Sequence, residues 1–218
     1  LAETLTEDPI TRASVMGDLI EFVDIRAIDV FGALFPVDHP MYRMCEGFMR
    51  LTNHDYRVTI SVLDYLQLNT DIEAKFAYPL ISMSALMMRD FEKAQQYLLR
   101  ANPLLSSDTT QNVDRQNYHS AIMLAYTYQQ TGDARRAEQL LNKAWQVVSQ
   151  MPRVGVGGHG ISDVSIFVLQ GRNDAALDAL RDAIDEGFVS LMSYGMWTLD
   201  QNLMLDPLRE DERFKAMK

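Results

Sequence analysis

The sequence contains a single cysteine, Cys45, in 218 residues. One cysteine excludes an intrachain disulfide and any metal site built on a cysteine cluster, and it suits cytoplasm and periplasm alike. Positive charge is also in short supply: 20 Lys and Arg face 30 Asp and Glu, for a net charge of −10. That balance argues against direct nucleic-acid binding, which needs a basic footprint, and against attraction to anionic lipid. No apolar run approaches the roughly 18 residues that cross a bilayer, so no membrane insertion is expected. Strand-like alternation is nearly missing, which leaves a sheet without material. Glycine and proline read as lying between the apolar-periodic segments and not inside them. What is present is apolar bulk, 47% of the chain. That fraction supplies a sizeable core and excludes disorder as a global description. The length allows one large domain or two small ones. The first residue is Leu1 and not Met, so a fragment of a longer chain is expected, with any targeting segment upstream.

The predicted class is all-α. Asp8 and Pro9 form an N-cap and first-turn pair that opens a helix running toward Leu34. Val15, Leu19, Phe22, Val23, Ala27, Phe31 and Leu34 fall on or near one face of it, and Pro36, His39 and Pro40 mark its exit. Residues 1–38 thus read as an N-terminal helix packing on a helical array. Residues 39–187 read as that array, four antiparallel helix pairs at about 40–70, 71–103, 112–151 and 159–187. Their turns fall at Asn53-His54-Asp55, Arg89-Asp90, Gly132-Asp133 and Gly171-Arg172. Thr70 and Glu73 have capping-box spacing at the start of the second pair, and Gly187 stops the fourth. Residues 188–218 read as a C-terminal cap.

Aligning the turns exposes a repeat. Asp55 to Asp90 is 35 residues, Asp90 to Asp133 is 43, and Asp133 to Arg172 is 39. Against a tetratricopeptide period of about 34, these gaps imply insertions of about one, nine and five residues. The larger two fall at 102–112 and 151–159, where proline, serine and glycine already signal loops. The stretch 121–144 is the best copy. There Leu124, Ala125 and Tyr128, then Ala137, Leu141 and Ala144, resemble the large-small-aromatic pattern of a tetratricopeptide repeat. A small residue lets the facing helix approach, and larger neighbours fill the groove. The second pair keeps Ser82, Ala94, Leu98 and Ala101, and the fourth Phe167, Ala176, Leu180 and Ala183. The first keeps Gly47, Tyr56 and Leu63 but has Thr59 where a small alanine is typical. No pair has the tryptophan usual early in the first helix; Ala121 stands there in the best copy. The resemblance implies helix pairs stacked as a right-handed superhelix.

The tail carries a second resemblance. Gly187-Phe188, Tyr194, Trp197 and the run Leu205 to Phe214 are similar to the segment that closes repeat domains in multidomain bacterial regulators. Those proteins carry winged-helix, class III cyclase or kinase domains. The likeness implies a module of a larger signalling or transcription-regulating protein. A terminal repeat must cover its exposed apolar face, and Trp197, Leu208 and Phe214 suit that task.

Motifs for chemistry are weak. Gly155 to Gly160 satisfies Gly-x-Gly-x-x-Gly, but a helix precedes it and no βαβ unit surrounds it, so it reads as an inter-repeat loop. His39, His54, His119 and His159 form no zinc-binding pair. His159, Ser162 and Asp163 are the residue types of a hydrolase triad, but sequence neighbours rarely supply triad geometry and no nucleophile elbow is present. No catalytic, cofactor or metal residue is assigned.

The binding expectation concerns the first helices, which line the concave face of such arrays. The repeat frame places Met44, Phe48, Met83, Met87, His119, Met123 and Tyr126 there, with Met41, Leu51, Phe76, Leu80 and Ile122. Methionine suits adaptable apolar recognition. The expected function is non-enzymatic docking of a peptide or protein on this surface, with homodimerisation possible. The alternative class is a small-molecule sensor with an enclosed apolar cavity, and an enzyme on a helical scaffold comes last. If helix 9–34 fills the groove, the methionines are core. The Lys/Asn clamp for a terminal carboxylate is missing, since Met44 and Phe48 occupy its places.

Overall fold

The computed structural model describes residues 33, 35–64, 71–106, 112–155, 157–188 and 198–217, with the backbone alone for 71–76. The N-terminal helix expected over 9–34, the Thr70 cap, Tyr194 and Trp197 lie outside the described residues. Within them all regular structure is helical: α1 Pro40–Thr52, α2 Tyr56–Asp64, α3 Asp71–Met87, α4 Phe91–Ala101, α5 Tyr118–Thr131, α6 Ala134–Val148, α7 Ser162–Leu169, α8 Asn173–Asp185 and α9 Glu212–Ala216. Short 3-10 turns occupy Pro103–Leu105 and Leu203–Leu208. The chain divides into two compact units between Ala101 and Asn102.

The four hairpin turns are built identically. In each, one residue donates its N–H three residues back and the next donates five back: His54 to Leu51 and Asp55 to Arg50, Arg89 to Leu86 and Asp90 to Ala85, Gly132 to Gln129 and Asp133 to Tyr128, Gly171 to Val168 and Arg172 to Phe167. This is the Schellman closure, which satisfies carbonyls a helix end otherwise leaves without partners. It needs a left-handed residue. Gly132 (φ 91°) and Gly171 (φ 73°) provide it at no steric cost, whereas His54 (φ 63°) and Arg89 (φ 58°) adopt it with a side chain, at about 1 kcal/mol each. Asp90 and Asp133 then cap the following helix through the Lys93 and Arg136 amides, both at 3.1 Å. Four residues after each turn the chain places a small, fully enclosed side chain: Thr59, Ala94, Ala137 and Ala176. Thr59 fits where alanine is typical because its hydroxyl donates to the Asp55 carbonyl (3.2 Å).

In the first unit α1 packs on α2 and α3 on α4, and α3 also packs on both helices of the pair before it. His39 opens α1, its Nδ1 accepting from the Met41 amide at 3.1 Å, with Pro40 in the first turn. Glycine and proline do enter helices here, contrary to the sequence expectation. Gly47 sits inside α1 because a Cβ would stand 2.6 Å from Leu63, and its absence brings α1 against α2. Pro79 sits inside α3, half-buried. Tyr97 of α4 donates to the Asp64 carboxylate at the end of α2; burial first, then that bond, pushes its hydroxyl up to about 12.

The second unit repeats the scheme. Helices α5 and α6 pair, α7 and α8 pair, and α7 also packs on both helices of the preceding pair. Helix α5 begins at Tyr118 and not near 112. The Asp114 carboxylate accepts from the Gln116 and Asn117 amides (2.8 and 3.1 Å), and the Asn117 amide group ties back to the Asn112 carbonyl (2.7 Å). Such local side-chain bonds offer the backbone an alternative to helix. The tail closes the fourth pair: Leu205, Leu208 and Phe214 enter one core with Val164, Leu177 and Leu180. Burying those three side chains contributes about 1.5–3 kcal/mol each.

Candidate functional site

The surface set read from the sequence divides by burial. Met44 and Phe48 of α1 are each 1% exposed and Met83 of α3 is 2% exposed. Tyr126 of α5 is also buried. Side chains so enclosed present no face to a peptide, so these four belong to the core and not to an open groove. Met44 and Phe48 lie on the buried face of α1, whose other face carries Arg43, Glu46 and Arg50, while Met83 and Tyr126 lie in stretches enclosed on nearly every side: from Leu80 to Leu86 every α3 side chain is buried, as is every one from Ala121 to Tyr128 except Met123. A helix apolar all round is a core helix. Met87, His119 and Met123 remain half-buried.

His119 does not face open space. Its ring lies against Tyr118 (centroids 4.2 Å), and its Nδ1 is 3.5 Å from the Ser162 hydroxyl. Burial first, then the neighbouring His159, pushes His119 down to about 4. Around it the second unit gathers a cluster of polar side chains from three places. The loop after α6 supplies Arg153 and His159, the first turn of α7 supplies Ser162 and Asp163, and the end of α8 supplies Glu186.

The centre is an ion pair. The Arg153 guanidinium grips Asp163 with both forks, Nη1 to Oδ1 at 3.0 Å and Nη2 to Oδ2 at 2.8 Å. The two side chains are 12% and 8% exposed. Nη1 also donates to the Gly160 carbonyl (3.1 Å), and Nε faces Glu186 at 3.4 Å. A planar, bidentate pair of this kind is the strongest a guanidinium makes. The glycine loop is wound around that arginine: the His159 amide donates to the Pro152 carbonyl and the Gly160 amide to that of Arg153, both at 2.9 Å. A Cβ on Gly158 would stand 2.5 Å from the Arg153 carbonyl oxygen, a backbone atom that cannot swing away. The Gly-x-Gly-x-x-Gly pattern thus serves a turn between helices. Gly158→Ala is expected to cost about 1–3 kcal/mol, read by urea denaturation, while a surface substitution such as Gln150→Ala stays within about 0.5 kcal/mol.

The triad residue types do meet here, but their links run the wrong way. Ser162 gives its proton to the His159 carbonyl (2.8 Å), so toward His119 it can only accept. A nucleophile needs a base that takes its proton. His159 Nδ1 stands 3.8 Å from Asp163, beyond hydrogen-bond reach, and has no hydrogen-bond partner among the described residues. Burial first, against the pull of Asp163, lowers the His159 imidazole. Ser162, Asp163 and His159 are all buried. The arrangement fixes the loop to α7 and α8.

Sequence reasoning missed Arg153 as the hub and also an aromatic stack on the same unit. Trp145 of α6, one-third exposed, lies against Phe167 of α7 (centroids 4.9 Å), whose ring is covered by the Arg172 guanidinium at 4.3 Å. The signal available for the stack was a tryptophan on the polar side of an amphipathic helix. Compared with protein-family models, curated proteins and solved structures, the chain matches none.

Proposed function

We propose that the chain is a non-catalytic interaction module of tetratricopeptide-like helix pairs that docks a peptide or protein segment on the first helices of its pairs. The carrying observation is the pattern of exposure: Met87 of α3 is half-buried directly after the buried run Leu80–Leu86, and Met123 of α5 is half-buried within the otherwise buried stretch Ala121–Tyr128. A flexible thioether at the edge of a core is suited to meeting varied apolar side chains. The repeated turn and its small buried residue support a scaffold built for rigidity, and the inward, internally bonded Ser162 supports a role without turnover. The similarity of the 187–214 tail to bacterial regulators supports a sensing place within a larger protein.

A random-peptide display selection on the immobilised chain tests this. Selected peptides are expected to carry an apolar anchor and to lose affinity about tenfold or more with Met87→Ser or Met123→Ser, with helical circular dichroism unchanged. Selected peptides that bind both variants as tightly as the parent chain would sink the reading.

A further inference from the structure

The first unit carries an open cleft of about 440 Å³ lined by His54, Asp55, Tyr56, Arg57, Val58 and Met88. Two exposed apolar side chains contribute to its lining. Val58 is 40% exposed and Met88 38%, and both belong to this one recess. Scattered exposed apolar side chains are ordinary, but two lining the same concavity make a seat. One wall is fixed, because the His54 Nδ1 and the Tyr56 hydroxyl are 2.8 Å apart and their rings meet edge to face.

Charge sets the occupant. Asp55, the acid in the cleft, is paired with Arg50 at 3.4 Å. Arg57 is exposed and has no acidic partner among the described residues. On a chain of net charge −10, an arginine left uncompensated beside an apolar recess is a local reversal of sign. Tyrosine, arginine and methionine are also the types concentrated where partners bind. The volume accommodates one or two side chains and not a whole helix.

Resting on the docking reading, we propose that this cleft takes a short acidic-apolar segment of a partner protein: a Leu, Phe or Met side chain enters against Val58 and Met88, and an adjacent Asp or Glu pairs with Arg57. The partner would thus be an acidic peptide, held by a guanidinium–carboxylate contact at the rim of an apolar pocket.

Fluorescence anisotropy with the full chain tests it, using a labelled peptide of alternating Asp and Leu. Two controls accompany it, one with Lys for Asp and one with Ser for Leu. The Asp-Leu peptide is expected to bind, and both controls to bind about tenfold or more weakly. Arg57→Glu and Met88→Ser should each cost about tenfold or more, and binding should weaken as salt rises. Arg57 is exposed, so its variant keeps the fold. No binding of the Asp-Leu peptide, equal binding of the Lys peptide, or unchanged affinity in Arg57→Glu would each overturn the proposal. Met123→Ser, in the other unit, should leave this peptide's affinity unaltered. If selected peptides respond to Met123→Ser while Arg57→Glu changes nothing, the cleft fails and the docking reading survives. If neither substitution alters any peptide, both fail.

Discussion

Asp163→Ala is expected to cost about 3–5 kcal/mol of unfolding free energy, the largest single effect in the second unit. The substitution removes one carboxylate and strands a guanidinium 12% exposed, whose remaining acid is Glu186, half-exposed and 3.4 Å from Nε. The full penalty arises because the surviving charge stays buried, not because the pair contributes that much beyond an apolar filling. A second variant separates these meanings. Arg153→Met with Asp163→Leu removes both charges together and should recover much of the loss. Urea denaturation reads both. A double variant as unstable as Asp163→Ala alone would show that the pair's geometry, and not the stranded charge, holds the loop.

The second large effect is on acid stability. The imidazole of His119 titrates near 6.5 in the unfolded chain and near 4 in the fold, where it is kept neutral. A depressed folded value for a histidine means the unfolded state binds the proton more readily. The contribution is therefore complete above about pH 6.5 and is lost as pH falls through that value toward 4, for a total of about 3 kcal/mol. His159, lowered in the same direction, steepens the loss. Stability measured from about pH 7 to pH 4 should fall, and His119→Phe should flatten the profile. The aromatic replacement retains the contact with Tyr118 and removes the titration. An unchanged slope would mean that carboxylates alone govern the acid limb.

Much of the local structure is legible in the sequence, because it depends on near neighbours. The turns at His54, Arg89, Gly132 and Gly171 were marked by the polar residues around them, and each structural closure lies at its expected place. The small residues Ala94, Ala137 and Ala176 are enclosed because helix contact distance depends on what side chains leave room. The start of α5 was missed because the Asp114 carboxylate takes the Gln116 and Asn117 amides, and the Asn117 side-chain oxygen takes the Asp114 amide, in a local turn that replaces the earlier helical start. The fate of Met44, Phe48 and Met83 was not legible. A run of apolar residues fits a groove and a core equally well, and the difference lies in neighbours distant along the chain. The Arg153–Asp163 pair is similar: each residue alone reads as surface charge, and only the winding of the glycine loop joins them. Gly47 and Pro79 show the opposite error, since a rule about helix breakers yields where two helices must touch or a core offsets the lost bond.

The repeated closure has a consequence for how the chain acquires its shape. Each hairpin joins helices only two residues or a few apart in sequence, and within each unit each later first helix meets the pair made just before it. Few searches over long loops are needed, so loop-closure entropy is met in small steps and collapse should be fast. Amides in the Schellman turns should exchange with deuterium at rates shared within a hairpin rather than across the whole protein. The closures at His54 and Arg89 are the costlier ones, by about 1 kcal/mol each, because a side chain must adopt a conformation that Gly132 and Gly171 enter freely, so His54→Gly and Arg89→Gly are expected to leave the turns at least as stable, read by urea denaturation.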